Sequence, residues 1–368
     1  MLFRSTRAVL GDASAVIRRP DDVTIEWLSK ILWESGRLDR SAEVSAVALE
    51  PVGTGQMADT IRFSLTYAPP GAGPSSVVAK FASADPQSHA TGKAMRAYEI
   101  EVRFYAEVAP EIDARVPGCI ACALDPDEAW FTLVLDDIVG ATQGDQIQGC
   151  SPEIAAAVVE EMAALQGSSF GSSVLEGSEW LNRATPDSDA FTASIVAGVY
   201  PSFVERYGAQ LSAEHLALFD AFIPRMEQWF ALRGGPRTIV HGDFRLDNLL
   251  FTRDPRPVIV DFQTWNWGNA SYDLAYFLGG CLTPEVRRGC EAELMTRYHE
   301  ALRERGVTGY SIDALKEDYR RECFGGVMMA VGASMLVKQT ERGDQMFLTS
   351  ATRHAQHAID LDALEVLS

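Results

Sequence analysis

Cysteine is sparse in this chain, with six among 368 residues. So few over that length argue against a disulfide framework and for a reducing compartment. Cys119 and Cys122 form a lone C-x-x-C with no second pair or nearby histidine, so they read as two ordinary thiols rather than zinc ligands. No apolar run is long enough to span a bilayer; the longest, "FGGVMMAVGASMLV" from Phe324 to Val337, reads as a buried helix. The opening "MLFRSTRAVLGDASA" lacks the continuous apolar core of a signal peptide. A cytoplasmic location away from membranes is expected. Positive charge is short as well, with 32 Lys and Arg against 51 Asp and Glu, a formal net charge of −19. Such a field disfavours nucleic acids and anionic membranes as partners and favours neutral or cationic small molecules. Internal repeats and low-complexity tracts are absent.

What remains is an ordinary globular composition, 47% apolar and 23% charged, in a chain long enough for two domains. Thr24 caps an expected helix over "TIEWLSKILWESG", which Gly36 ends. Strands follow at "VSAVALE", "TIRFSLTY" and "SVVAKF", the last two joined by the loop "APPGAGPSS". A helix is expected from Gln87 to Val108, with Met95, Tyr98, Val102 and Tyr105 on one stripe. Two further strands, "VPGCIACAL" and "AWFTLVLDDI", complete a mostly antiparallel sheet of about five. At Ser151-Pro152-Glu153, a strong helix start, the chain turns mainly helical. The expected organisation is a helical extension over 1–40, a sheet-rich lobe over 41–138, a linker over 139–150 and a helical lobe over 151–368.

One polar stretch interrupts the helical half. "IVHGDFRLDNLLF" and the later "VIVDFQTW" set His241, Asp243 and Asn248 as H-x-D-x-x-x-x-N, with Asp261 thirteen residues beyond Asn248. A short hairpin across "TRDPRP" is expected to bring Asn248 and Asp261 together. Phosphoryl transfer needs such a set: one carboxylate to accept the proton of an incoming hydroxyl, and an amide oxygen with a second carboxylate to hold magnesium. In "VVAKF", Lys80 ends an apolar strand, where an ammonium is costly to shield unless it meets an anion.

"HGDFRLDNLLF", "VIVDFQ" and "YDLAYFL" together resemble the small-molecule branch of the protein-kinase-like superfamily. That branch holds the aminoglycoside phosphotransferases, choline kinases and ecdysteroid-kinase-like proteins. The resemblance in element order runs from about Thr24 onward and implies an α+β, protein-kinase-like bilobal fold. A small antiparallel-sheet lobe with one key helix would precede a larger, mainly helical lobe. The implied cofactors are ATP and Mg²⁺. The implied partner is a small-molecule hydroxyl acceptor bound to the helical lobe.

Residue by residue, the resemblance makes Asp243 the catalytic base, with Arg245 near the transferred phosphate. Asn248 and Asp261 become the metal ligands. His241 braces the loop. Asp273 ties it to the following helix, although a simple helix cap fits Asp273 nearly as well. Lys80 would meet the α/β-phosphates with a helical glutamate as partner; Glu99 and Glu101 both qualify, and "EVRFY" favours Glu101. Gly53, Thr54, Gly55 and Gln56 would form the loop over the phosphates. The backbone of Asp136, Asp137 and Ile138 would read the adenine.

Departures narrow the reading. Gln263 replaces the glycine of Asp-Phe-Gly, only eleven residues separate Asp261 from Asp273, and no Ala-Pro-Glu follows, so protein substrates are not expected. Gln166 stands where many relatives carry histidine. Trp265 and Trp267 suit the core better than an acceptor pocket. The expectation is an ATP- and Mg²⁺-dependent kinase transferring the γ-phosphoryl group to a hydroxyl. A catalytically silent nucleotide-binding protein on the same fold, or a dedicated aminoglycoside-resistance kinase, are the alternatives.

Overall fold

The structure, a computed structural model, describes residues 16–53, 57–337 and 339–367. Two compact units divide the chain. The first takes everything to Ile112, Val116–Ala141 and a short return at Ile259–Thr264; the second takes Asp113–Arg115, Thr142–Val258 and Trp265 onward.

In the first unit Thr24 caps α1 (Ile25–Glu34), its hydroxyl accepting the Trp27 N–H. Gly36 leaves the helix with φ +73, a conformation that favours glycine. Strands β1 (Glu43–Pro51), β2 (Ala58–Ala68), β3 (Ser76–Ala82), β4 (Cys119–Asp125) and β5 (Trp130–Asp136) form one antiparallel sheet in the order β1-β2-β3-β5-β4. Leu28, Ile31 and Leu32 of α1 pack with Phe63, Val77, Phe81 and Val134 of the sheet in one core.

The single helix expected over 87–108 is three pieces: α2 (Pro86–Ala94), α3 (Ala97–Arg103) and a π turn at Phe104–Val108. Arg96, in the left-handed region at φ 56, breaks the run. The break resets the helical phase. Met95, expected on the buried stripe, is therefore 50% exposed, whereas Tyr98, Val102 and Tyr105 are buried.

The second unit is mainly helical. Ser151 caps α4 (Pro152–Gly167), followed by α5 (Ser173–Glu176), α6 (Pro186–Tyr207), α7 (Ala213–Phe222) and α8 (Met226–Ala231). Five short strands follow in sequence or flank these helices: β6 (Thr142–Gln143), β7 (Arg237–Val240), β8 (Leu249–Phe251), β9 (Val258–Ile259) and β10 (Asn266–Asn269). β6 pairs with β8 and β10 pairs with β7, both antiparallel. Helices α9 (Ser271–Cys281), α10 (Pro284–Glu304), α11 (Ile312–Glu322), α12 (Phe324–Leu336) and α13 (Glu341–Asp360) complete it. The apolar run from Phe324 is α12, buried at its start and exposed at Leu336. A Cβ on Gly325 or Gly326 would collide with Tyr272 or His354, so the glycine pair lets α9 and α13 approach α12 closely. Among the described residues no helix is long and apolar enough to cross a membrane.

This core contains a charge that it shields poorly. Glu322 of α11 is buried, and its Oε1 has no hydrogen-bond partner among the described residues, only an ion pair to Arg321 Nε at 3.6 Å. Burial pushes its carboxyl up to about 7, against the pull of Arg233 and Arg321. A carboxyl raised on folding stabilises the folded state fully below its ordinary value of 4.5, and that contribution is lost as pH rises through 7. Glu322→Gln, which keeps the shape without the charge, is expected to be more stable than the parent by roughly 3 kcal/mol at pH 8. At pH 4 it should show no such gain, as urea unfolding at the two pH values will measure.

Candidate functional site

Lys80 lies on β3 and is 8% exposed. Its Nζ is 2.6 Å from Glu101 Oε1 and 2.9 Å from Asp261 Oδ1. Burial pulls the ammonium's pKa down, but the Asp261 and Glu101 carboxylates outweigh it and raise the group above its ordinary range. One cation shared between two carboxylates does not fully compensate both. Burial accordingly leaves the Glu101 carboxyl raised, against the pull of Lys80.

Local structure explains how Asp261 reaches Lys80. Asp261 adopts the left-handed backbone at φ 68, uncommon without glycine. The next residue, Phe262, is fully buried, stacking on Phe104 with ring centroids 3.5 Å apart and meeting Tyr105 edge-on. Both partners belong to the π turn, an insertion type frequent at functional positions. Glu99 is not the partner of Lys80: it pairs with Arg96 and Arg103.

Asp136 and Asp137 are held by side-chain pairs rather than left to solvent. Asp136 takes two hydrogen bonds from Arg37, at 3.1 and 2.8 Å. Asp137 accepts from Arg62 Nε at 2.8 Å and from the Ser76 hydroxyl at 2.6 Å. Ile138 is half-buried, and its carbonyl accepts the Ala141 N–H. Gly53 turns at φ +78 between β1 and β2, while Thr54, Gly55 and Gln56 lie outside the described residues.

In the second unit β7 delivers the loop that begins at His241, and Gly242 turns it at φ 85. Asp273, inside α9, docks this loop: Oδ2 accepts the His241 N–H at 2.8 Å and Oδ1 the Gly242 N–H at 3.0 Å. Burial pushes its carboxyl up despite these donors. His241 is fully buried, and its Nδ1 accepts the Asp243 N–H at 3.3 Å.

The Asp243 carboxylate is gripped from three sides. Arg245 Nε donates to both oxygens at 3.1 and 2.9 Å, Asn248 Nδ2 to Oδ2 at 3.0 Å, and the Tyr276 hydroxyl to Oδ1 at 3.1 Å. Burial works against its charge, but Arg245, with His241 and Tyr276, brings the carboxyl below its usual range. Arg245 also meets Asp247 Oδ2 at 2.5 Å, so its guanidinium is engaged by two carboxylates. Asn248 is 5% exposed and also donates to the Asp243 carbonyl at 2.8 Å.

Several supporting residues carried no motif. Gln166 donates to Asp273 at 3.2 Å and accepts the Tyr298 hydroxyl, which ties α4, α9 and α10 together. Gln146 donates its backbone N–H to Asp247 at 3.0 Å and accepts the Leu246 N–H at 3.1 Å. Tyr276, three residues after Asp273, shared the quoted "YDLAYFL"; that spacing, one helical turn, was the available signal. Trp265 and Trp267 are buried, Trp265 against Trp180 and Trp267 donating to Glu176.

Among the described residues no group of three or more His, Cys, Asp or Glu could hold a metal. Asn248, in the second unit, and Asp261, in the first, each carry an oxygen donor of the kind Mg²⁺ prefers.

The sequence profile of the phosphotransferase enzyme family matches residues 64–321, more than half of the chain. A choline kinase from Cryptosporidium parvum Iowa II matches in structure with TM-score 0.56 at 11% identity, over 92% of this chain and 95% of that one. A microcompartment-associated aminopropanol kinase matches with TM-score 0.50 at 14% identity, over 93% of this chain and 99% of that one. Among curated protein sequences none matches significantly. The likeness establishes a protein-kinase-like α+β fold with a small antiparallel sheet and a larger helical part.

The buried ion pair yields a prediction independent of function. Removing one member of such a pair strands the other, at about 3 kcal/mol or more. Lys80→Met and Glu101→Met are each expected to lose about that much. The double variant should recover much of the combined loss in urea unfolding. Strict additivity of the two single losses would show that the pair is not coupled.

Proposed function

The chain belongs to the phosphotransferase enzyme family, and from that membership we propose an ATP- and Mg²⁺-dependent kinase that phosphorylates a hydroxyl of a small molecule. One observation carries the reading. Asp243 is a buried carboxylate kept below its usual range by Arg245 and further hydrogen bonds, in a loop docked on Asp273. Such a group is held oriented and ionised, as a proton acceptor for a hydroxyl must be.

Asp243 accepts the proton of the acceptor hydroxyl as its oxygen attacks the γ-phosphorus. Arg245 and Tyr276 fix the carboxylate so that it need not reorganise during the step. Asn248 commits its amide nitrogen to Asp243, which leaves the amide oxygen for a cation. Asp261 would supply a second oxygen ligand, and Mg²⁺, when bound, would supply charge neutralisation on the phosphates. Lys80, buried beside Glu101, anchors the α/β-phosphates. Most of the rate gain then comes from positioning and charge neutralisation.

Two of the matched structures are kinases of hydroxyl-bearing small molecules, choline and aminopropanol by name. The −19 charge favours a neutral or cationic acceptor here also. The residues proposed as base, metal ligands and phosphate anchor are all present in the sequence, which argues against the catalytically silent alternative.

The test is an ADP-release screen with Mg·ATP over a diverse hydroxyl library, with Asp243→Asn as control. At least one acceptor is expected to give Mg²⁺-dependent turnover. Asp243→Asn should lower kcat by roughly 10²- to 10⁴-fold, the range of general base catalysis. A turnover that survives this substitution unchanged would contradict the role of Asp243.

A further inference from the structure

Cys119 and Cys122 are three positions apart on β4, and on a regular strand such residues point to opposite faces of the sheet. Here the register slips. Cys119 stands opposite Leu135, Ala121 opposite Val134 and Cys122 opposite Leu133. Leu133 and Leu135, two apart on β5, point to one face, and residues directly opposed in an antiparallel pair share a face. The extra residue in the bulge therefore turns both cysteines to the same side.

Both residues are half-buried, so part of each still meets solvent. The two thiols lie close enough for each to be the largest influence on the other's acidity. That contact raises the Cys119 thiol and draws Cys122 below the usual thiol range against its burial. Arg37 and Asp136 act on Cys119, and Glu107 acts on Cys122. Cys119 and Cys122 are free thiols, as expected, but the bulge that sets them on one face leaves no mark in the spacing. Unlike Cys122, the other four cysteines, Cys150, Cys281, Cys290 and Cys323, are pushed up by burial.

We infer that Cys119 and Cys122 form a redox-active dithiol, a modification site that a low-molecular-weight disulfide such as oxidised glutathione converts to an intrastrand disulfide. The Cys122 thiolate attacks one glutathione sulfur, breaking the S–S bond and releasing one glutathione thiolate. Cys119 then gives its proton to solvent and attacks the Cys122 sulfur, expelling the second glutathione thiolate. Both released thiolates take up protons from water. Two electrons pass from the cysteine pair to the oxidant, and the pair loses two hydrogens.

The position gives this chemistry a consequence. Leu133 stands opposite Cys122 on one side and Lys80 on the other, so the dithiol lies on the Lys80 face of the sheet. The two rows are two strand spacings apart, about 10 Å. If that face takes Mg·ATP, which rests on the function proposed above, bound nucleotide shields the pair.

The full chain is incubated with oxidised glutathione and followed by intact and peptide mass. The parent is expected to lose two hydrogens in the peptide that holds both cysteines, with no lasting adduct. Cys119→Ser should retain one glutathione on Cys122, and Cys122→Ser should gain none on Cys119. A parent that stays reduced, or that accumulates a stable adduct, overturns the dithiol; so does Cys119→Ser left unmodified. Mg·ATP is expected to slow the oxidation several-fold. Oxidation at an unchanged rate with Mg·ATP present supports the dithiol and counts against the nucleotide reading, so the two fail separately.

Discussion

The need to shield one buried ammonium organises the first unit. Lys80 sits in the middle of an apolar sheet, where an isolated cation would cost more than the fold can supply. Two carboxylates answer it, one from α3 and one from a six-residue segment that arrives from far along the chain. Several irregular features serve that delivery. The left-handed Arg96 ends α2 and lets α3 begin in a new phase, so that Glu101 faces inward and Glu99 turns toward Arg96 and Arg103. The π turn presents Phe104 and Tyr105 to Phe262, and the strained backbone of Asp261 directs its carboxylate to Lys80.

The second unit solves a different problem, holding a polar loop still among apolar helices. Asp273 binds consecutive backbone N–H groups, Gln166 and Tyr298 extend that contact to α4 and α10, and Gln146 secures the far end at Leu246 and Asp247. Buried polar groups satisfied in this way form a network in which each member orients the next. The loop's own side chains then face one another, Arg245 between Asp243 and Asp247.

Much of the architecture was legible because its signals are local. Thr24 and Ser151 cap their helices through side-chain oxygens, and the five strands carry apolar runs bounded by turns. The motif around Asp243 was legible because its members lie within eight residues, His241 to Asn248. What escaped depends on distant partners or on unmarked backbone. Arg96 is not glycine, so nothing announces its left-handed turn. Arg37 and Arg62 meet Asp136 and Asp137 across 99 and 75 residues of chain, beyond any periodicity. Gln166 gave only a mismatch with relatives, because its meaning lies in Asp273 and Tyr298 rather than in its neighbours.

The return of Ile259–Thr264 to the first unit has a consequence for dissecting the molecule. The polypeptide crosses between its two halves more than once, so no single cut yields either half intact. A fragment ending at Ala141 would keep the sheet and α3 but lose Asp261 and Phe262, leaving Lys80 with one counter-ion and Phe104 without its stacking ring. The two units are interleaved along the chain and inseparable as genetic modules, and recombination that swapped one without the other would carry that defect with it.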